Sequence, residues 1–299
     1  MNLFNKAVVS TMPMIPKALV GKIASRYVAG EQLSDAIAEV QNINKEGGLA
    51  TLDILGEYSK NEAQAEQTVN SYKEILTTIS DEGVDSNISI KPTALGLKMG
   101  YDICFRNVRS IVKEAAMLNN FVRIDMEDHG CTDDTLRMYY ELRKEFDNVG
   151  VVIQAYLRRT IRDVQWLKKM KANLRLCKGI YSEPRMIAYK DRDIIIQNYA
   201  FLLEELLQAG SYVGIATHCE ETVWHGLKIV KQLGLNRDQY EFQMLLGVDP
   251  ELRQIIMNEG HRLRVYVPYG EDWYPYSTRR LKENPQLAGS VAKDFLKLS

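Results

Sequence analysis

Residues 121–126 read FVRIDM, a short apolar run in which Val122 and Ile124 alternate with Arg123 and Asp125. Successive side chains on a strand point to opposite faces, so this strand has one apolar face and one charged face. Seven further runs of the same kind follow or precede it: LATLDIL (49–55), NISIK (87–91), VGVVIQAYL (149–157), NLRLCKG (173–179), YVGIATHC (212–219), YEFQMLLG (240–247) and HRLRVYV (261–267). Stretches of helical period lie between them, at residues 63–79, 102–118, 134–146, 161–171, 194–207 and 221–233, and an amphipathic helix over 32–44 precedes the first strand. Eight strand–helix units in about 250 residues are what a closed (β/α)8 TIM barrel requires, whereas a doubly wound open sheet has fewer strands and a glycine-rich first turn. No G-x-G-x-x-G is present. The expected fold is therefore α/β, with a barrel over residues 47–299 and an N-terminal helical extension over residues 1–46 packed on it.

The alternation recurs beyond FVRIDM. Ile88 and Ile90 are set against Ser89 and Lys91, Ile153 and Ala155 against Gln154 and Tyr156, and Leu174 and Leu176 against Arg175 and Cys177. Later, Phe242 and Met244 oppose Glu241, Gln243 and Leu245, while Leu263, Val265 and Val267 oppose Arg264 and Tyr266. Parallel strands covered by helices normally read as nearly continuous apolar runs. Here one set faces the helices, so the other points into the barrel, where an unpaired charge is costly. Either the interior is furnished for a ligand or its charges satisfy one another. Lys91 and Asp125 stand at the carboxyl ends of their strands, the end at which barrels carry their sites. The sixth strand is left open by parity, because Thr217 and His218 point opposite ways.

Composition narrows the chemistry. The 299 residues are 45% hydrophobic and 26% charged, enough for a large core, and the net charge of −1 gives no bias toward nucleic acid or an anionic membrane. Cys104, Cys131, Cys177 and Cys219 are scattered without a C-x-x-C pairing, which fits core filler in a reducing compartment better than a disulfide framework or a zinc site. Residues 1–30 are broken by Pro13, Pro16 and several lysines and read neither as a signal peptide nor as a membrane span. His129, His218, His225 and His261 show no metal-ligand spacing, and no nucleophile elbow or P-loop is found. Two chemistries remain. One is a Schiff base at a desolvated Lys91 or Lys178; the other is an organic cofactor held by Gln154, Arg175, Lys178 and Thr217 at the ends of three successive strands.

The chain closes with RVYVPYGEDWYPYSTRRLKEN (264–284), where Pro275 opens a short helix and Pro285 ends it. Tyr276, Arg279, Arg280 and Glu283 share one face of that helix, at the spacing of a packing stripe. The stripe is either a solvated face or, because two adjacent guanidinium groups suit a carboxylate, a grip for a small anion.

SIKPTALG (89–96), VRIDMED (122–128), VVIQAYLRRT (151–160), LRLCKGIY (174–181), IATH (215–218), EFQMLLG (241–247) and RVYVPYGEDWYPYSTRRLKENP (264–285) together resemble the proline dehydrogenase family, in the family's order. The resemblance implies a distorted (β/α)8 barrel of the monofunctional, bacterial type. It implies non-covalent FAD and oxidation of L-proline to Δ1-pyrroline-5-carboxylate, the first step of proline catabolism to glutamate. Asp125 and Arg175 would be catalytic, with Arg175 against the flavin ring. Lys91, Arg279 and Arg280 would bind the substrate carboxylate, with Asp125 and Glu283 as counter-charges and Glu283 orienting the arginines. Leu245, Tyr266 and Tyr276 would wall the ring. Met126, Gln154, Lys178, Gly179, Ile180, Thr217 and His218 match cofactor positions, Gly179 allowing close approach of the backbone. Electrons would pass to a quinone, with at most peripheral membrane contact from the cytoplasm, and a separate pyrroline-5-carboxylate dehydrogenase would take the product. Neither a metal nor nucleic acid is expected. Tyr266 argues against a hydroxyproline dehydrogenase, since its bulk would crowd a ring hydroxyl; a Schiff-base lyase is the alternative from another class.

Overall fold

Eight parallel strands close on themselves in chain order in the computed structural model, which describes residue 21 and residues 25–283, with side chains as far as residue 278. They are β1 (Leu49–Ile54), β2 (Ser86–Ile90), β3 (Val122–Ile124), β4 (Val149–Gln154), β5 (Asn173–Cys177), β6 (Tyr212–Ala216), β7 (Tyr240–Leu245) and β8 (Leu263–Tyr269). Every strand expected from the sequence is present. The helices are α1 (Leu33–Lys45), α2 (Glu62–Glu82), α3 (Tyr101–Met117), α4 (Thr132–Leu142), α5 (Thr160–Leu167), α6 (Arg192–Gln208), α7 (Glu220–Gln232), α8 (Pro250–Asn258) and α9 (Trp273–Glu283). The sequence reading passed over α8, yet its start is marked: the Asp249 side chain accepts from Leu252 N at 3.1 Å and Pro250 occupies the first turn. Helix α2 starts the same way, with Asn61 accepting from Gln64 N, and stops at Gly83 in the left-handed conformation.

The barrel departs from the plain strand–helix repeat where it closes. Strand β8 pairs with β1 from Leu49–Arg264 through Ile54–Tyr269, and α1 packs against both strands on the outside. The last helix does not take that place. Instead α9 brings Tyr276 to the cavity at the carboxyl ends of the strands, and Trp273 Nε1 at its start donates to Glu31 at 2.9 Å. The segment ahead of α1 is stitched to β8 and its loop, by Ala29 N to Pro268 O and by Gly270 N to Gly30 O, each 3.0 Å. Tyr27, only 2% exposed, thereby becomes part of the cavity wall.

Strand parity holds. Val122, Ile124, Leu174, Leu176, Phe242, Met244, Val265 and Val267 are buried together in the layer between sheet and helices, where each such side chain contributes about 1.5–3 kcal/mol. The opposite set fills the barrel and is buried too. At its lower level Arg264 Nε donates to Glu241 Oε1 at 2.8 Å and Nη1 to Ala50 O at 2.6 Å, while Gln243 Nε2 donates to the same Glu241 oxygen at 2.5 Å. Arg123 bonds the backbone and side-chain oxygens of Asn173 at 2.8 and 2.6 Å. Room for these long side chains comes from two inward glycines: a Cβ on Gly150 would run into Arg123, and one on Gly214 would run into Gln243. Glu241 and Arg264 thus pair with each other, whereas Arg123 is held by neutral oxygens, and burial with Arg175 nearby draws its pKa down to about 9.

Burial opposes ionisation of Glu241, yet Arg264 and Gln243 outweigh it and draw the carboxyl from 4.5 down to about 2. A carboxyl whose pKa falls on folding adds stability above its ordinary pKa and loses it as pH drops from about 4.5 to about 2. Glu241→Gln should cost roughly 3–5 kcal/mol at neutral pH, because Arg264 is left buried without its partner. It should also flatten the acid limb of stability, as read by urea unfolding across that window; an equally steep limb would show that Glu241 is not the group responsible.

Candidate active site

A cavity of about 650 Å³ opens at the carboxyl ends of the strands, within the size range of sites that bury a cofactor or drug-sized ligand. Lys91, Asp125, Met126, Gln154, Arg175, Lys178, Gly179, Ile180, Thr217, His218, Leu245, Tyr266 and Tyr276 all line it. Thirteen of the residues singled out from the sequence are thus brought together by eight different elements or their following loops. Arg279, Arg280 and Glu283 lie on the backbone of α9, and their side chains fall outside the described residues.

Charge is concentrated at one end. Asp125 Oδ1 accepts from Arg175 Nη1 at 2.7 Å and from Ser89 Oγ at 2.6 Å, and Arg175 Nε donates to Gln243 Oε1 at 2.5 Å. The Arg175 guanidinium also lies 5.3 Å from the centre of the Tyr266 ring. Tyr266 Oη donates to Asp53 at 2.6 Å and reaches Asp125 at 3.2 Å. Lys91 pairs directly with Asp53, which takes a further bond from Tyr72 Oη at 3.1 Å. The sequence reading had assigned Asp125 and Glu283 as the balancing charges. In the structure the direct partner of Lys91 is Asp53, and Asp125 is bound to Arg175.

These pairings set the protonation states. Burial lowers the Lys91 pKa, but Asp53 and then Asp125 outweigh it, so the net shift is upward and Lys91 stays a cation. A Schiff-base lysine needs the opposite. Burial pushes the Asp53 carboxyl up, Lys91 opposes that, and Asp125 adds to it. Burial, with Asp125 and Asp53 alongside, holds the Tyr266 phenol well above its ordinary range, leaving it a neutral donor.

The other end of the cavity is quieter. Gln154 Nε2 donates to Met126 O at 3.2 Å and Glu127 O at 3.3 Å, tying the end of β3 to β4. With two carbonyls claiming the nitrogen, the amide orientation is settled, and Gln154 Oε1 is a buried acceptor without a bond among the described residues. Glu127, which the sequence reading passed over, is held by Thr93 N at 2.8 Å and Thr93 Oγ1 at 2.5 Å; burial nonetheless lifts its carboxyl to about 6. Thr217 Oγ1 accepts from Cys219 N at 3.0 Å and His218 Nε2 from Leu245 N at 3.3 Å, so both shape the strand ends. Gly179 has φ +106°, and a Cβ there would strike the Tyr156 ring, a steric reason for glycine that needs no ligand. Cys104 and Cys131 are buried and Cys177 packs against the core, as expected of core filler, although Cys177 and Cys219 also line the cavity.

Residues 36–293 match the family model for proline dehydrogenase. The chain belongs to the proline dehydrogenase family. Proline dehydrogenase 1 of Bacillus subtilis (strain 168) is 36% identical over 274 residues, 92% of this chain and 91% of that protein. The proline dehydrogenase of Deinococcus radiodurans is 35% identical over 305 residues, 99% of this chain and 98% of that protein. Among solved structures, proline utilization A from Bdellovibrio bacteriovorus inactivated by N-propargylglycine superposes with a TM-score of 0.83 at 26% identity, over 88% of this chain and 33% of that longer one. Monofunctional proline dehydrogenases are thus matched over nine tenths or more of their length, and the chain is an oxidoreductase of their kind.

In this proline dehydrogenase the segment after β5, which carries Lys178 to Ile180, is fastened at several points. The buried Glu183 takes the backbone N–H of His129 at 2.8 Å and meets its ring Nδ1 with the other oxygen. Further along, Leu157 and Ala188 form a bridge flanked by Arg158 N to Ile187 O and Tyr189 N to Tyr156 O. Arg185, between the two fastenings, is exposed. Glu183→Ala should therefore accelerate tryptic cleavage after Arg185 several-fold while leaving cleavage elsewhere unchanged, because local opening governs proteolysis of a folded protein. Cleavage at the wild-type rate would mean that the bridge, with the Arg158 Nε bond to Arg185 O at 2.9 Å, holds the segment without Glu183.

Proposed function

We propose that this enzyme oxidises L-proline to Δ1-pyrroline-5-carboxylate with non-covalently held FAD, as the first step of proline catabolism to glutamate. The observation that carries the reading is the convergence of Lys91, Asp125, Arg175 and Tyr266, fully paired, at one end of a cavity much larger than an amino acid. The rest of the cavity fits a flavin: Gln154 Oε1 is a buried acceptor suited to an N–H, and Met126, Ile180 and Leu245 give it apolar walls. Bound FAD would supply the hydride acceptor.

The chain's own residues do the rest. Lys91, fixed as a cation, takes the substrate carboxylate together with Arg279 and Arg280. That arrangement is supported by Tyr276, which lines the cavity from α9 and stands three and four positions before the two arginines, on the same helical face. Glu283, one turn further, orients them. Arg175 presents a fixed positive charge held by Asp125 and Gln243, where it favours negative charge developing on the acceptor. Tyr266, Tyr276 and Leu245 hold the ring against the acceptor, and orientation of this kind removes several kcal/mol from a barrier. Because Asp53 and Asp125 both hold the Tyr266 hydroxyl, its ring cannot swing aside for an extra hydroxyl, which favours proline over hydroxyproline.

In the same reading, residues 47–299 form the catalytic barrel and residues 1–46 its extension, with a quinone reoxidising the flavin and a separate pyrroline-5-carboxylate dehydrogenase using the product. Among the described residues no helix is long and apolar enough to cross a membrane; contact with the quinone's membrane would be peripheral, from the cytoplasm.

The purified protein should be yellow and should bleach on anaerobic addition of L-proline. A colourless preparation unchanged by added FAD would overturn the proposal. Arg279→Met or Arg280→Met should raise the proline KM about tenfold or more with flavin content unchanged, a loss of about 1.4 kcal/mol or more of substrate binding; loss of flavin instead would remove α9 from the substrate end.

A further inference from the structure

Asp53 stands behind the charged end of the cavity and is fully buried, 0% exposed. Its carboxylate joins three elements of the barrel: Lys91 follows β2, Tyr266 belongs to β8, and Tyr72 reaches in from α2 at 3.1 Å. Two of these three donors line the cavity, whereas Tyr72 does not. We propose that Asp53 is the positioning residue of the substrate pocket, aiming Lys91 and Tyr266 at the substrate while Tyr72 braces it from behind.

The inference rests on the proline-oxidising reading of the site and adds a residue to it. A buried carboxylate is a poor way to stabilise a fold, since well-packed apolar groups of similar volume do as well or better. Asp53 earns its place by fixing Lys91 and by taking the shorter of the two carboxylate bonds that hold Tyr266, 2.6 Å against 3.2 Å from Asp125. It also decides the charge presented there. The titratable groups around Lys91 are Asp53 from β1, Asp125 and Glu127 from the loop after β3, and Tyr266 from β8. Asp125 is committed to Arg175, and Glu127 to Thr93. With Asp53 neutralised, burial of Lys91 is opposed by these two alone, so its pKa falls, and the amine sheds its proton at a lower pH.

The test uses the flavin-loaded enzyme with Asp53→Asn and Tyr72→Phe. Three quantities are read: flavin content, the dissociation constant of cyclopentanecarboxylate from the flavin difference spectrum, and the KM and kcat for proline. Asp53→Asn should weaken binding of the carboxylate and raise the KM by roughly ten- to a hundredfold, the usual scale for losing a bond to a charged group. The loss should grow as pH rises above neutrality, while the wild type stays flat because its Lys91 remains protonated. Tyr72→Phe should shift the same quantities in the same direction by a few-fold. Flavin content should be unchanged in both. Wild-type carboxylate affinity with a flat pH profile in Asp53→Asn, or a fall in kcat alone, overturns the proposal. Should Asp53→Asn fail to fold, Tyr72→Phe decides, and wild-type values there overturn it. If proline does not reduce the wild type, the functional reading falls on its own, and the cyclopentanecarboxylate titration still reports on Asp53.

Discussion

Charge inside a closed barrel has to be answered by charge, and this constraint organises the whole interior. From Arg264 the bonding runs to Glu241, through Gln243 to Arg175, on to Asp125, across Tyr266 to Asp53, and ends at Lys91 and Tyr72. Each member bonds the next, and linked bonds of this kind are how a low-dielectric interior tolerates so many ionised groups. The lower part of the chain closes on itself. The upper part presents its outermost members, Lys91, Arg175 and Tyr266, to the cavity.

This continuity explains why the two readings of the inward residues were not true alternatives. The pairing that satisfies the interior is also what fixes the orientation of the groups facing the cavity. A loosely held arginine or lysine at the mouth would lose side-chain entropy on binding a ligand; held by carboxylates beforehand, it has already lost it.

Much of the barrel was legible in the sequence because its signal is local. Strand parity in FVRIDM or NLRLC depends only on neighbours, and all eight strands fall where the pattern puts them. The charged mouth was legible for the same reason. Asp53 escaped notice although it shares its face with Thr51, because LATLDIL reads as a plain apolar run unless the parity applied to the other strands is applied there too. Helix α8 carried a readable cap in Asp249 and Pro250 but no strong period. Tyr27 had no signal at all. Its place in the cavity depends on backbone bonds from Ala29 to Pro268 and from Gly270 to Gly30, more than two hundred residues apart in the chain. Nor does any local feature reveal that α1 would cover the seam between β1 and β8 while α9 crosses the mouth; that exchange is decided by packing.

The inward glycines of β4 and β6 carry a consequence for descent. Gly150 and Gly214 are empty positions into which Arg123 and Gln243 extend, so a methyl group at either would displace its neighbour's side chain, and at Gly150 it would also strike the Asn173 carbonyl. At Gly214 the gap can be filled once Gln243 has shortened or moved aside, whereas at Gly150 the Asn173 carbonyl blocks a methyl group whatever stands at 123. Lineages of this barrel should therefore keep Gly150 even where Arg123 has changed, and should lose Gly214 only where Gln243 has already given way.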